Sequence, residues 1–341
     1  MSARRELDVL VVGGGTFGTA LATLLAEMGR RVRLWTRRPE QAEEINREHT
    51  NRRYFPKHTL PPSLEATTDL AAAVKGSPIV LMAVPSRSFR SVARTLGDSL
   101  EGDQCVCHTT KGFEIETFKR MSTILTEETC TLKTGVLSGP NLAVELMNGY
   151  PAGATVASRY QEVVAVVQDL FRGGRMRLYG GRDVVGTEIA GAFKNILALA
   201  AGVSDGMGFG DNSKALVLTR GLSEMARIGV SFDADVFTFS GLAGIGDLMA
   251  TCSSPLSRNH QVGERLAKGE KLEEILASMT QVAEGVPTTE AVHRYAVSTG
   301  LDLPIVRAMH GVLFEGWKAE DAVRKLMMIP VGDELSTLRY R

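Results

Sequence analysis

The stretch Leu10 to Gly18, "LVVGGGTFG", sets Gly13, Gly15 and Gly18 in G-x-G-x-x-G spacing. It follows the strand-length apolar run "LDVLVV" and opens "TFGTALATLLAEMGR", whose Leu and Ala spacing suits a packed helix ending at Gly29. That context suits a dinucleotide: Gly13 permits the tight turn, Gly15 lets a pyrophosphate approach the backbone, Gly18 permits close helix packing, and the helix N-terminus offers N–H donors. The alternative is a merely structural strand-to-helix turn. The next strand ends "LWTRRPE", so Arg37 and Arg38 stand where an acidic residue would hold a ribose 2′-hydroxyl. Two guanidinium groups suit a 2′-phosphate and favour NADP; Glu40, slightly later, leaves NAD open, and a solvated Arg pair is the plainer alternative.

A hydride donor requires a carbonyl partner and a proton source. "EIAGAFKNILALA" sets Lys194 and Asn195 in an apolar helix, where Lys194 either snorkels to water or is placed in a cleft. Lys111, in "HTTKGFE", follows a strand at its carboxyl end, the edge at which open α/β sheets bind ligands. If Lys111 and Lys194 meet, repulsion and partial burial lower an ammonium pKa and improve it as a proton donor near neutral pH. Asp247, in "GLAGIGDLMATC", adds a carboxylate, or else caps a helix that begins at Leu248. A second phosphate site is read in "SSPLSRNHQ": a helix starting near Ser257 puts Arg258 and Asn259 in its first turn, the alternative being a surface Arg beside an N-cap serine.

The elements that must position these residues alternate along the first part of the chain. After "RVRLWT" come a helix over 39–48, the short helix "TDLAAAVKG", a strand "PIVLMAVP", a helix "SRSFRSVARTLG", a strand "QCVCHTT" and a helix from about Glu116 to Thr129. Strand-like pieces "TGVLSGP", "AGATVAS" and "RMRLYGG" follow, with the helix "QEVVAVVQDLF" between the last two. Such alternation predicts a parallel sheet covered on both faces. From about Asp183 every segment carries helical spacing with Gly or Pro between. The expected organisation is a Rossmann-like α/β dinucleotide-binding domain over 1–187 and an all-α domain for substrate over 188–341.

Composition agrees with a globular chain of two domains: 341 residues, 44% hydrophobic and 23% charged. Lys+Arg and Asp+Glu each count 39, and no basic block suggests nucleic acid. The N-terminus lacks the pattern of a signal peptide, and "PIVLMAVP" and "NILALAAGV" fall short of the roughly 20 residues of a membrane helix. A cytoplasmic protein without a transmembrane segment is therefore expected. Cys105, Cys107, Cys130 and Cys252 have no metal-ligand spacing, Cys105 and Cys107 read as buried strand residues, and the six histidines form no H-x-x-x-H pair. No metal is expected.

In order along nearly the whole chain, "GGGTFGTALA", "NRRYFP", "AVPS", "TTKGFE", "LSGPNLAVE", "EIAGAFKNILALAAG", "AGIGDLMATCSSPLSRN" and "VAEGVPTT" resemble the bacterial NAD(P)-dependent sn-glycerol-3-phosphate dehydrogenases. "SGPNLAVE" and "SRN" separate this resemblance from β-hydroxyacid dehydrogenases and ketopantoate reductases, which share the cofactor domain, a helical second domain and a catalytic lysine. The resemblance implies reversible reduction of dihydroxyacetone phosphate to sn-glycerol 3-phosphate for glycerophospholipid synthesis, by a homodimer. It implies Lys194 as general acid in reduction and base in oxidation, with Lys111, Asn195, Asp247 and Thr251 orienting carbonyl and hydroxyls. Arg258 and Asn259 would hold the phosphate beside Ser257, and Gly139 would adjoin the substrate. Cofactor contacts are implied at Thr16, Phe17, Arg37, Arg38, Tyr54, Lys111, Gly139, Ala143, Arg258, Val282 and Glu284. Gly14 and Thr16 depart from the Ala or Ser many relatives carry, without removing a required glycine. Two other readings stay open: a redox sensor that binds the dinucleotide without turnover, and a dehydrogenase for another hydroxyacid or keto-acid, whose carboxylate could also use Arg258.

Overall fold

Along Val9–Val12 each side chain is buried, with Val9 and Val11 in one apolar cluster and Leu10 and Val12 in another. A strand apolar on both sides needs cover on both faces of its sheet. A computed structural model describes residues 8–279 and 282–330; the N-terminal lead read as lacking a signal lies mostly outside them. Among the described residues the chain forms two units, one of residues up to Thr110 together with Met121–Val184, the other of Lys111–Arg120 and residues from Val185 onward.

The first unit is built on β1 (Asp8–Val12), β2 (Arg31–Trp35), β3 (Leu64–Thr67), β4 (Ile79–Met82), β5 (Cys105–His108), β6 (Thr134–Ser138), β7 (Ala152–Ala157) and β8 (Met176–Gly181). They form one sheet in the order β3-β2-β1-β4-β5-β6-β7-β8. Helices Thr16–Glu27 and Gln161–Leu170 contribute to the core on one face, and helices Ser86–Gly97 and Met121–Glu128 to the core on the other. The order reverses between β1 and β4, whose carboxyl ends open the crevice in which doubly wound sheets take ligands. Cys105 and Cys107 are buried in this sheet, as their spacing predicts.

Two elements differ from the sequence expectation. The sheet is not wholly parallel, because β6 and β7 pair antiparallel. The link between them holds only the five-residue helix Ala143–Met147. At about 1.5 Å per residue that helix is roughly 7.5 Å long, too short to carry the chain back along a strand and into a parallel start. The chain turns instead at Gly139, whose φ is 153°. The second difference is at residues 116–120, read as the start of a helix: the helix begins at Met121, and 111–120 form a loop before it. Phe113 lies in the core of the helical unit, and Phe118 stacks on Tyr295 with centroids 4.6 Å apart. These apolar side chains find their partners in the second unit, so the segment leaves the first.

The second unit is organised around helix Val184–Gly206, which starts just before the expected boundary at 187 and is buried from Gly186 to Ser204. By length and composition this helix could cross a membrane, unlike the shorter apolar runs visible in the sequence, but 89% of its most apolar window is buried in protein. Helix Arg258–Ala267 crosses it at glycine contacts. A Cβ on Gly202 would strike the His260 carbonyl, and one on Gly263 the Leu199 carbonyl. The missing side chains let the two backbones approach, which brings Asn195 beside Asn259.

Candidate active site

The glycine loop after β1 has the geometry its spacing demands. Gly13 has φ 122°, and a Cβ there would stand 2.5 Å from the Ala83 carbonyl oxygen. A Cβ on Gly18 would strike the Gly13 carbonyl oxygen, while one on Gly15 would meet nothing within 4 Å. Two of the glycines are thus needed by the fold, and the third faces open space where a pyrophosphate could lie. Gly15 caps helix Thr16–Glu27 with no side-chain hydrogen bond and no acidic residue in the first turn, a terminus suited to an anion. Gly18→Ala is expected to force the helix off the loop, costing about 1–3 kcal/mol by overpacking. Thermal melts and NADPH fluorescence titrations should show lower Tm and weaker dinucleotide binding together.

Sequence reasoning does not single out the residues that hold this loop. Gln41 donates from Nε2 to the Gly14 carbonyl at 2.5 Å, and Asn51 donates from Nδ2 to Thr19 Oγ1 at 2.9 Å. The available signal is a polar side chain on an apolar helix face: Gln41 is buried beside Ala42 and Ile45 in helix Pro39–Glu48. Arg38 Nη2 donates to Gln41 Oε1 at 2.8 Å, and its guanidinium lies 5.9 Å from the Tyr54 ring centroid. Arg38 and Tyr54 are thereby tied to the glycine loop. Arg37 is exposed. Thr16 and Phe17 open helix Thr16–Glu27, Gly139 follows β6, and Ala143 opens a short helix packed on Thr16–Glu27.

In the second unit Lys194 is 5% exposed. It does not snorkel. Its Nζ donates to Asp247 Oδ1 at 2.5 Å and to Thr251 Oγ1 at 2.6 Å. Lys111 Nζ donates to the other oxygen, Asp247 Oδ2, at 2.7 Å. Asp247 and Thr251 are one turn apart on helix Asp247–Ser253 and so share a face. A turn closed by Gly246 N–H on the Gly241 carbonyl, an i→i+5 bond, feeds this helix. Asp247 is its first residue and Gly246 its N-cap, so the carboxylate joins the lysines rather than capping the helix. Burial pushes the Lys194 ammonium down to about 8; Asp247 opposes the shift and Lys111 adds to it. The lysines do meet, through a shared carboxylate, and burial outweighs their repulsion.

A second group adjoins through the crossing helices. The Gly285 N–H donates to Asn259 Oδ1, which makes Asn259 Nδ2 the donor to Asn195 Oδ1; both distances are 2.9 Å. This order leaves the Asn195 amide nitrogen as that side chain's outward donor. Arg258 is exposed, and its Nη1 donates to the Val282 carbonyl at 2.7 Å, two residues before Glu284. Ser257 is the N-cap of helix Arg258–Ala267, its hydroxyl accepting from the His260 N–H at 3.3 Å. Lys111, Lys194, Asp247 and Thr251 therefore form one cluster, Asn195 and Asn259 a second, and Arg258 rests on the strand of backbone at Val282.

Two family models match: the N-terminal part of NAD-dependent glycerol-3-phosphate dehydrogenase over residues 8–164 and its C-terminal part over residues 183–324. A protein of Halothermothrix orenii named glycerol-3-phosphate dehydrogenase (NAD(P)+) is 44% identical over 322 residues, 94% of each chain. One of Moorella thermoacetica with the same name is 44% identical over 330 residues, 97% of this chain and 98% of its own. Among solved structures, glycerol-3-phosphate dehydrogenase from Coxiella burnetii superposes with a TM-score of 0.90 at 33% identity, covering 95% of this chain and 99% of that one. With the glycine loop and the lysine–aspartate cluster, these similarities identify the chain as a member of the NAD-dependent glycerol-3-phosphate dehydrogenase family.

Proposed function

We propose that this oxidoreductase reversibly reduces dihydroxyacetone phosphate to sn-glycerol 3-phosphate, with Lys194 as general acid in reduction and general base in oxidation. The observation that carries the reading is the buried Lys194 ammonium, held by Asp247 and Thr251 and depressed to about 8. A proton donor works best when its pKa lies near the operating pH. The nicotinamide, when bound, supplies or accepts the hydride. Lys194 Nζ delivers the proton to the alkoxide oxygen, and Lys111, Asp247, Thr251 and the Asn195 amide orient the carbonyl and hydroxyls. Gly139 adjoins the substrate, and Arg258, Asn259 and Ser257 take its phosphate.

The dinucleotide would be held by the Gly13–Gly18 loop with Thr16 and Phe17, by Arg37, Arg38 and Tyr54 at the adenosine end, and by Lys111, Gly139, Ala143, Arg258, Val282 and Glu284. The open space at Gly15 supports this fit. Arg38, tied by Gln41 to the loop, favours a 2′-phosphate and hence NADPH. The product would feed glycerophospholipid synthesis in the cytoplasm. A homodimer accords with the exposed Phe237, Ile245 and Met249, which lie in three consecutive short helical segments of the second unit.

The test is the initial rate of NADPH and NADH oxidation with dihydroxyacetone phosphate, against unphosphorylated dihydroxyacetone and ketopantoate. Turnover confined to the phosphorylated ketone supports the reading; equal turnover with ketopantoate sinks it. Arg258→Ala is expected to raise KM for dihydroxyacetone phosphate at least tenfold with a smaller change in kcat, since a charge-assisted bond made equally in the ground and transition states acts on KM. Replacing Arg37 and Arg38 together by Ala should lower the NADPH-to-NADH ratio of kcat/KM about tenfold or more, through loss of charge-assisted bonds to the 2′-phosphate.

A further inference from the structure

We propose that the Arg120–Glu188 ion pair is a positioning device: it fastens the loop that carries Lys111 to the helix that carries Lys194, and so sets both ammonium groups on the Asp247 carboxylate. This rests on the catalytic reading of Lys194 and deepens it.

Lys111 begins the segment Lys111–Arg120, which joins the helical unit although the chain on either side of it belongs to the other. Phe113 pairs with Arg120 in an isolated antiparallel bridge, the Glu114 N–H donates to the Lys119 carbonyl at 3.0 Å, and the segment thereby closes into a loop. Its tip is wedged by Phe118, whose φ of 56° is left-handed and whose ring stacks between Phe113 and Tyr295. A bulky residue keeps such a backbone only where its surroundings impose it. Arg294 donates to the Ile115 carbonyl as a further tie.

These contacts hold the tip and the middle. The end opposite Lys111 is held by Arg120 Nη1 on Glu188 Oε2 at 2.5 Å, with the side chains 17% and 3% exposed. Glu188 stands on helix Val184–Gly206, upstream of Lys194. The ion pair thus joins the two elements whose lysines share Asp247. A buried pair of this kind is weak evidence for stability, and fixing geometry is a role such pairs take in some proteins.

The test is the pH profile of kcat/KM for dihydroxyacetone phosphate reduction in wild type, Lys194→Ala, Lys111→Met, Arg120→Ala, Arg120→Lys and Glu188→Gln. The groups that act on Lys194 are Lys111 from the loop and Asp247 and Cys252 from helix Asp247–Ser253, with Lys111 lowering its pKa. If Arg120→Ala frees the loop, kcat falls at least tenfold and the alkaline kinetic pKa moves upward as far as in Lys111→Met. Arg120→Lys restores most of both effects. A merely structural role would lower Tm or enzyme yield and leave the kinetic pKa of the folded fraction unmoved, and that result overturns the inference. Should Arg120→Ala not fold, Glu188→Gln decides by the same readout, since it keeps the shape and removes the charge. Turnover surviving in Lys194→Ala would instead bring down the acid–base reading; an inactive Lys194→Ala beside an unmoved kinetic pKa in the Arg120 and Glu188 variants brings down the positioning role alone.

Discussion

Lys194→Ala should lower turnover of dihydroxyacetone phosphate by about 10²–10⁴-fold, the range for loss of one positioned proton donor. Affinity for NADPH should change little, because Lys194 is not among the residues proposed to hold the dinucleotide. The pH dependence gives the same assignment a second face. In the proposed role reduction uses the protonated amine, so kcat/KM for the ketone should be level below about 8 and fall as pH rises through it. Oxidation of the alcohol needs the neutral amine and should rise with pH to a plateau above the same value. Steady-state rates of wild type and variant in both directions over that range, with a dinucleotide titration of the variant, check all four statements. Opposite limbs meeting at one pKa mark a single group working as acid and base.

Asp247→Asn should be comparably damaging, for a different reason. Its carboxylate is the anion that both Lys111 and Lys194 contact, at 2.7 and 2.5 Å. Removing one partner of a buried pair commonly costs about 3–5 kcal/mol, because the remaining charge stays desolvated. Here the remaining charge can shed its proton. Asp247 holds the Lys194 pKa up against burial, so without it the pKa drops further below about 8. At neutral pH the variant would carry less of the ammonium form, and the alkaline limb of reduction would shift to lower pH. The stability consequence has a definite sign: between the depressed folded pKa and the unfolded value of about 10.4 the unfolded chain binds more protons, so stability rises with pH across that window. Thermal melts across pH should therefore show the largest deficit against wild type at low pH and a shrinking one as pH increases. A deficit independent of pH would mean that the loss arises from packing.

Much of this could be read from residue order, for physical reasons. A glycine loop between strand and helix is local: Gly18 acts on an atom five residues away and Gly13 on the chain end of the neighbouring strand, while Gly15 faces open space, so their spacing carries the geometry. Helix Val184–Gly206 was legible because from Ile189 to Val203 its apolar spacing is interrupted only at Lys194 and Asn195, and those two interruptions are where the polar cluster lies. All but one of the departures are long-range. Phe118 reads as part of a helix until its partners, Phe232 and Tyr295, are known. Asp247 has the look of a cap because capping is local, whereas its two lysines are 53 and 136 residues away. Arg120 gives no sign of its role, since a polar residue in a loop is ordinarily solvated, and Gln41 is marked only by its place on the apolar face of its helix. The antiparallel β7 follows from the shortness of one link, which the strand-like composition around it does not reveal.

The excursion of Lys111–Arg120 into the helical unit also bears on how such a protein can be taken apart or recombined. The chain passes between the units at Thr110–Lys111, Arg120–Met121 and Val184–Val185. A gene cut once near residue 187 would yield a C-terminal fragment without Phe113, a buried member of its core, and an N-terminal fragment carrying an aromatic loop with nothing to fold onto. The helical unit is therefore not a transferable cassette. Grafting it onto another α/β domain would require a host able to accept the ten-residue insert between its fifth strand and following helix, so exchange of the two units by simple end-to-end fusion is closed to this architecture.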